Sequence, residues 1–429
     1  MSKHPLISIP LDIPDVRVLQ TELTKDGELI LTVESTLTAT TCRRCGRTIT
    51  ERHGRDEPRR LRHLPILGRV VYLRIRPQRF QCRWCDGHPT TTQQLDWYDP
   101  NALHTKAYER HLILQLVNSP ISDVEAKEDV TYAALLGILD RWIAKSIDWD
   151  ALEPFATLGI DEIALLKGHR DFVAVISAQT ESGALHVLAV LPDRLKATVL
   201  AWLLTMPHAI RAQITTVCTD IWEGYISAAA EVLPNATIVL DRFHVMRHAR
   251  DGVDTLRKQE VRRLKKELPT EVVDALKHTL WPFRKRADAL DPAEQERLAT
   301  LLASSPPLRQ AYALREQLTA IFDTARSKAD GLRRLRWWRR RVEKSDLTCF
   351  DPFLKLLDRW LDLVANYFIS HHTSGFVEGL NNKLKVLKRR CSGLRNVAHL
   401  FQRLTLDLEG YRRFSLWRAT TSSAVSGKS

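Results

Sequence analysis

The chain's most chemically pointed residues are four cysteines in two Cys-x-x-Cys pairs, Cys42/Cys45 and Cys82/Cys85. Each such turn offers two thiolates from one tight loop, and Zn²⁺ takes four ligands in a tetrahedron. A hairpin can span the 36 residues between the pairs. The other cysteines, Cys218, Cys349 and Cys391, are isolated, so pairing is not a habit of this chain. The spacing predicts one structural Zn²⁺ on Cys42, Cys45, Cys82 and Cys85, against the plainer reading of four unrelated buried thiols.

A second set is acidic. Asp220 closes the apolar run TTVCTD, Asp241 closes TIVLD, and Asp161 lies in GIDE on an earlier run. In α/β sheets polar groups collect at the carboxyl ends of strands. Side chains alternate across a strand, so Asp161 and Glu162 face opposite ways and only one can join the others. Far downstream, TSGFVEGLNNKLKVLKRR places Glu378, Asn381, Asn382 and Lys385 on one helical face and Phe376, Leu380, Leu384 and Leu387 on another. That polar stripe suits a helix laid along a metal site, and also any surface helix. One carboxylate among 51 acidic residues says little; the informative feature is their combination in an α/β setting.

The elements that must position these groups follow from hydrophobic periodicity. Residues 1–100 read as a β-rich zinc-binding module, with alternation in ELILTVEST (28–36) and VVYLRIRPQRFQC (70–82). Arginines crowd it; Arg43, Arg44, Arg79 and Arg83 are expected to touch phosphates, the alternative being a solvated face. Residues 101–150 read as helices with a helix-turn-helix-like break, Ser122 heading a short helix and Thr131 the next; a plain helical linker explains the same pattern. From 151 to 245, strands ATLGID, DFVAVISA, ALHVLAVL, ITTVCTD and ATIVLD, with helices after the third and fourth, make a mixed α/β sheet. Residues 246–370 are helical and proline-punctuated, residues 371–415 are helical again, and 416–429 read as a disordered tail. Within RRLRWWRRR (333–341), Arg336, Trp337, Trp338 and Arg339 are expected to clamp a nucleic-acid backbone and stack on a base, unless the tryptophans are core.

Bulk properties agree. A chain of 429 residues has room for two to four domains. Its formal charge of +13 favours a polyanion such as nucleic acid. No run of about 18 apolar residues predicts a membrane span. Unpaired cysteines and the lack of an apolar signal core predict a reducing cytoplasm.

GIDE (159–162), TD (219–220), PNATIVLDRFHV (234–245) and SGFVEGLNNKLKVLKRRCSGLRN (374–396) together resemble the ISL-three family of bacterial insertion-sequence transposases. The resemblance covers nearly the whole chain, because zinc knuckles and a helix-turn-helix-like stretch belong to the same plan. It implies an RNase H-like α/β core with a large all-α insertion, behind the zinc module and the helical domain. It implies a catalytic trio of Asp161, Asp220 and Glu378 binding Mg²⁺ or Mn²⁺, and it explains the long gap before Glu378 by the helical insertion. Asp241 and His244 resemble an Asp-x-x-His element beside the site and, with Asn381, Asn382 and Lys385, are expected to support it. The implied partner is double-stranded DNA, both terminal inverted repeats and target, bound by a homo-oligomer, a dimer, in the nucleoid. The implied activity is DNA cleavage and strand transfer. Two alternatives remain at this stage, a non-catalytic DNA-binding regulator and an RNase H-like nuclease without strand transfer.

Overall fold

The computed structural model describes residues 11, 13–166, 170–269, 279–370, 375–390 and 396–415. Side chains of residues 165, 166, 170, 171, 370, 375–378, 381 and 388 lie outside that description, as do residue 391 and the tail 416–429. Two compact units emerge, one running to Ile143 and resuming at Glu409, the other spanning Ala144–Leu408.

The first unit opens with β1 (Val16–Leu23), β2 (Leu29–Ser35), β3 (Thr40–Thr41), β4 (Thr48–Ile49), β5 (Glu51–Arg55), β6 (Arg59–Ile66), β7 (Arg69–Ile75), β8 (Gln78–Gln81) and β9 (Thr90–Thr92). One sheet has the order β1-β2-β7-β6; β3 pairs with β4, and β5-β8-β9 form a third sheet. Alternation along β7 turns Val71, Leu73 and Ile75 inward against Leu31, Val33, Leu61 and Trp97. The apolar run expected across 70–82 is divided at Arg76-Pro77 between two sheets, since a proline cannot donate to a ladder. Three helices follow: α1 (Lys106–Leu116), α2 (Ile121–Glu128) and α3 (Tyr132–Trp142). The helix expected from Thr131 onward is α3, and Thr131 caps it by accepting from the Ala134 N–H. Helix α2 instead takes Pro120 as its N-cap, two residues before the expected Ser122 cap. Asp129 turns the chain between α2 and α3 with φ +50.

The second unit is built on a five-stranded sheet. Its elements are β10 (Phe155–Leu166), β11 (Arg170–Thr180), β12 (Leu185–Leu191), α4 (Lys196–Thr205), α5 (His208–Gln213), β13 (Thr216–Thr219), α6 (Glu223–Val232) and β14 (Thr237–Leu240). The order is β12-β11-β10-β13-β14, with β10 antiparallel to β11 and parallel to β13. Strand β11 is buried on both faces, Val173, Ala174, Val175 and Ile176 alike, hence its unbroken apolar run.

Helices then dominate: α7 (Arg242–Glu267), α8 (Leu280–Arg284), α9 (Pro292–Ser304), α10 (Pro306–Thr324), α11 (Lys328–Glu343), α12 (Asp351–Ala365) and α13 (Tyr367–Ser370). Pro292 and Pro306 begin helices rather than merely ending them, each behind a capping side chain, Asp291 and Ser305. Helix α7 passes so near the turn at Cys349 that a Cβ on Gly252 would lie 1.9 Å from the Cys349 carbonyl oxygen. Finally α14 (Gly375–Arg390) and α15 (Val397–Phe414) cover one sheet face, where Leu380, Leu384, Leu387, Leu400 and Phe401 meet Val173, Val175 and Val187. Among the described residues no helix is long and apolar enough to cross a membrane.

Candidate functional site

The zinc ligands come together as the spacing predicts. The first knuckle is the turn between β3 and β4, and the second lies between β8 and β9. Sγ of Cys42 is 4.0 Å from that of Cys85, and Sγ of Cys45 is 3.7 Å from that of Cys82. Thiolates held at ~2.3 Å around a tetrahedral Zn²⁺ stand about 3.8 Å apart, so the donor set fits the ion. Backbone N–H groups of Cys45 and Arg44 hold the Cys42 thiol down to about 6, favouring the thiolate that a metal needs. Gly46, at φ +70, accepts the left-handed turn that closes this knuckle.

In the second unit the sheet brings two carboxylates and an imidazole together. Asp161 sits within β10, Asp220 directly follows β13, and His244 lies in the first turn of α7. Their ligand atoms all lie within 4.8 Å of one another. Strand alternation puts Asp161 on the same face as Ile163, the face that α14 covers. Glu162 points the other way. It pairs with Arg194 at 3.0 Å, and Arg194 is sandwiched between the Phe172 and Trp222 rings, 4.3 and 4.2 Å from their centroids. The choice left open by GIDE therefore falls on Asp161. Nothing in the sequence marked Arg194, because its partners come from three separate elements.

Electrostatics at this centre are unfavourable for a bare protein. Burial above all, then the negative charges of Asp161 and Asp241, push the Asp220 carboxyl up to about 9. His244 Nε2 lies 3.0 Å from Asp220 Oδ1 but without hydrogen-bond alignment, and that buried oxygen has no hydrogen-bond partner. The Asp161 and Asp220 carboxylates suit a hard divalent cation, which takes carboxylate oxygens. Asp241 is differently employed. It is the N-cap of α7, its Oδ1 accepting from the Phe243 N–H at 2.7 Å, and His244 Nε2 lies 3.9 Å from its other oxygen.

Helix α14 lies against β10, which carries Asp161. Asn382 and Lys385 are exposed on it, whereas the side chains of Glu378 and Asn381 lie outside the described residues.

The expected DNA contacts divide. Arg43, Arg44, Arg83 and Arg336 are exposed, whereas Arg79 is half-buried and donates to Thr90 Oγ1 across the β8–β9 pair. Trp337 is 46% exposed with the Arg341 guanidinium 4.8 Å from its ring. Trp338 corrects the expectation: it is fully buried, edge-on to Phe350 and Phe353, and its Nε1 donates to the Leu314 carbonyl. Arg339 is occupied by Glu343 and Asp358. A signal was available, since Gly331, Leu335, Trp338 and Val342, all buried, recur at helical spacing. An exposed aromatic was missed in the second knuckle, where Trp84 is 51% exposed beside Arg47 and Arg83.

Residues 158–404 match the family model for the ISL3 transposase, and residues 38–85 match the zinc-finger of transposase IS204/IS1001/IS1096/IS1165. Fold, site and match together define a DDE transposase with an RNase H-like core and an N-terminal zinc ribbon. The transposase for insertion sequence element IS1001 of Bordetella parapertussis is 26% identical over 378 residues, 87% of this chain and 89% of that protein. The transposase for insertion sequence element IS1557 of Mycobacterium tuberculosis is 24% identical over 396 residues, 86% of each. The chain belongs to the ISL3 family of transposases.

Proposed function

We propose that this transposase binds the terminal inverted repeats of its own insertion sequence and, as a dimer on that DNA in the cytoplasm, cuts and joins strands at Asp161, Asp220 and Glu378. The observation that carries this reading is the convergence of Asp161 and Asp220 at the sheet, with the buried Asp220 Oδ1 making no hydrogen bond. Glu378 is assigned as the third carboxylate because α14 lies against the strand of Asp161 and covers the face on which Asp161 stands. Mg²⁺ or Mn²⁺, when bound, supplies neutralisation of phosphate charge and polarisation of the attacking oxygen. The chain's own part is to hold those carboxylates on a rigid sheet, so that an in-line displacement needs little reorganisation. Asp241 fixes the start of α7 and so the place of His244. Asn381, Asn382 and Lys385 are assigned to guiding the strand along α14.

Binding is assigned first to the zinc ribbon, for a reason of charge. Residues 38–85 contain 13 arginines against three acidic residues, while 104–143 contain four basic and six acidic ones. The ribbon, with Arg43, Arg44 and Arg83 exposed, is the phosphate anchor. The three residues between α2 and α3 are compatible with a helix-turn-helix, and α3 is assigned to the groove on that reading. The exposed Arg336 and Trp337 on α11 are assigned to DNA held against the helical block, the insertion of this core. The test is incubation with the flanking repeats and Mg²⁺, followed by sequencing of products. Joined strands are expected. Cut ends alone would leave a nuclease, and unchanged DNA with intact repeat binding would leave a regulator. A chain beginning at Asp150 that binds the repeats with full affinity would remove the ribbon and α1–α3 from recognition.

A further inference from the structure

We propose that His244 is itself a ligand of the catalytic divalent cation, completing an Asp161–Asp220–His244 set that favours Mn²⁺ over Mg²⁺; this rests on the metal-site reading above. Three observations carry it. The ligand atoms of the three residues lie within 4.8 Å of one another, a grouping that one ion could draw together. His244 Nε2 stands 3.0 Å from Asp220 Oδ1 yet out of hydrogen-bond alignment, so the imidazole is not there simply to orient that carboxylate. Its position is set from behind: the Asp241 carboxylate spends Oδ1 on the Phe243 N–H, which fixes the first turn of α7 and delivers His244 to the pocket.

The chemical consequence lies in metal choice. Mg²⁺ wants oxygen ligands and near-octahedral geometry. An imidazole nitrogen shifts a carboxylate site along the series toward transition ions, of which Mn²⁺ is the one that keeps oxygen-rich coordination. A trio of Asp161, Asp220 and Glu378 alone would hold the ion through oxygens only.

The test uses the full-length, zinc-loaded protein, so that added Mn²⁺ does not enter the cysteine site. Mn²⁺ and Mg²⁺ binding are measured by titration, and pulsed electron paramagnetic resonance reads nitrogen directly bonded to Mn²⁺. Nitrogen coupling is expected in the wild type and lost in His244→Ala and His244→Asn, with circular dichroism unchanged. Mn²⁺ affinity should fall at least about tenfold, a loss that even an outer partner of a metal ligand can cause. Mg²⁺ affinity should fall less. A wild-type Mn²⁺ centre without nitrogen coupling overturns the proposal, and so does coupling that survives both variants. In either case Asp161→Asn and Asp220→Asn should still abolish Mn²⁺ binding, which leaves the carboxylate site standing. If those two variants bind Mn²⁺ as the wild type does, the underlying site reading is what has failed.

Discussion

At the scale of single residues, the proposed catalytic centre is a place where the protein bears a cost. The unfolded Asp220 carboxyl releases its proton near 4, while the folded one keeps it up to about 9. Between those values the folded state binds more protons, so this group's contribution to stability falls as pH rises. Asp220→Asn should remove that dependence and raise the melting temperature of the second unit at neutral pH without added divalent cation. Calorimetry across that pH range checks it, and an unchanged or lowered melting temperature counts against the buried-pair picture. The same substitution, like Asp161→Asn, should lower cleavage at least about a thousandfold while repeat binding persists, since a lost metal ligand removes several kcal/mol of charge stabilisation. Asp241 gives the contrast. Asparagine caps a helix about as well as aspartate, so Asp241→Asn should fold and cleave; Asp241→Ala should lose roughly 1 kcal/mol of stability. A dead Asp241→Asn beside an active Asp220→Asn, read in one cleavage assay, would exchange their roles.

At the scale of elements, what could be read in the chain was whatever local periodicity governs. The five strands around Asp161, Asp220 and Asp241 announced themselves because β11 and its neighbours carry long apolar runs buried on both faces. The amphipathic spacing from Thr131 onward announced α3, whose inward residues Leu135, Ile138 and Leu139 are buried. Contacts between distant elements were not readable. Which side of β10 Glu162 takes is set by Arg194, itself held by Phe172 and Trp222. The tryptophan pair of α11 falls between these cases, since one angular step of the helix separates a core residue from a surface one. Trp338→Ala should cost about 3–5 kcal/mol in chemical denaturation, whereas Trp337→Ala should stay within about 0.5 kcal/mol. Weaker DNA binding by Trp337→Ala, with Trp338→Ala failing only through stability, is the pattern expected. Gly331 is similarly constrained: a Cβ there would meet the Phe368 ring at 2.0 Å, so Gly331→Ala should destabilise the same helical block.

At the scale of the whole molecule, the two units should respond to different insults. Metal ligation stabilises a small ribbon whose apolar centre is little more than Ile49, Phe80 and the cysteines themselves. Cys82→Ser should abolish stoichiometric zinc by elemental analysis and unfold the ribbon, leaving the melting of the second unit in place; loss of both transitions would refute separate units. The first unit is also discontinuous in sequence. Its last piece begins at Glu409, where the Phe414 carbonyl accepts from Arg110 Nε at 2.9 Å and the Phe414 ring sits edge-on to Trp142. During synthesis the ribbon and α1–α3 leave the ribosome first, yet the residues that complete their unit arrive after the entire second unit has been made. If the first unit binds the repeats as proposed, a nascent or prematurely ended chain lacks a finished DNA-binding unit, and full repeat recognition waits for a transposase whose RNase H-like core has already been translated.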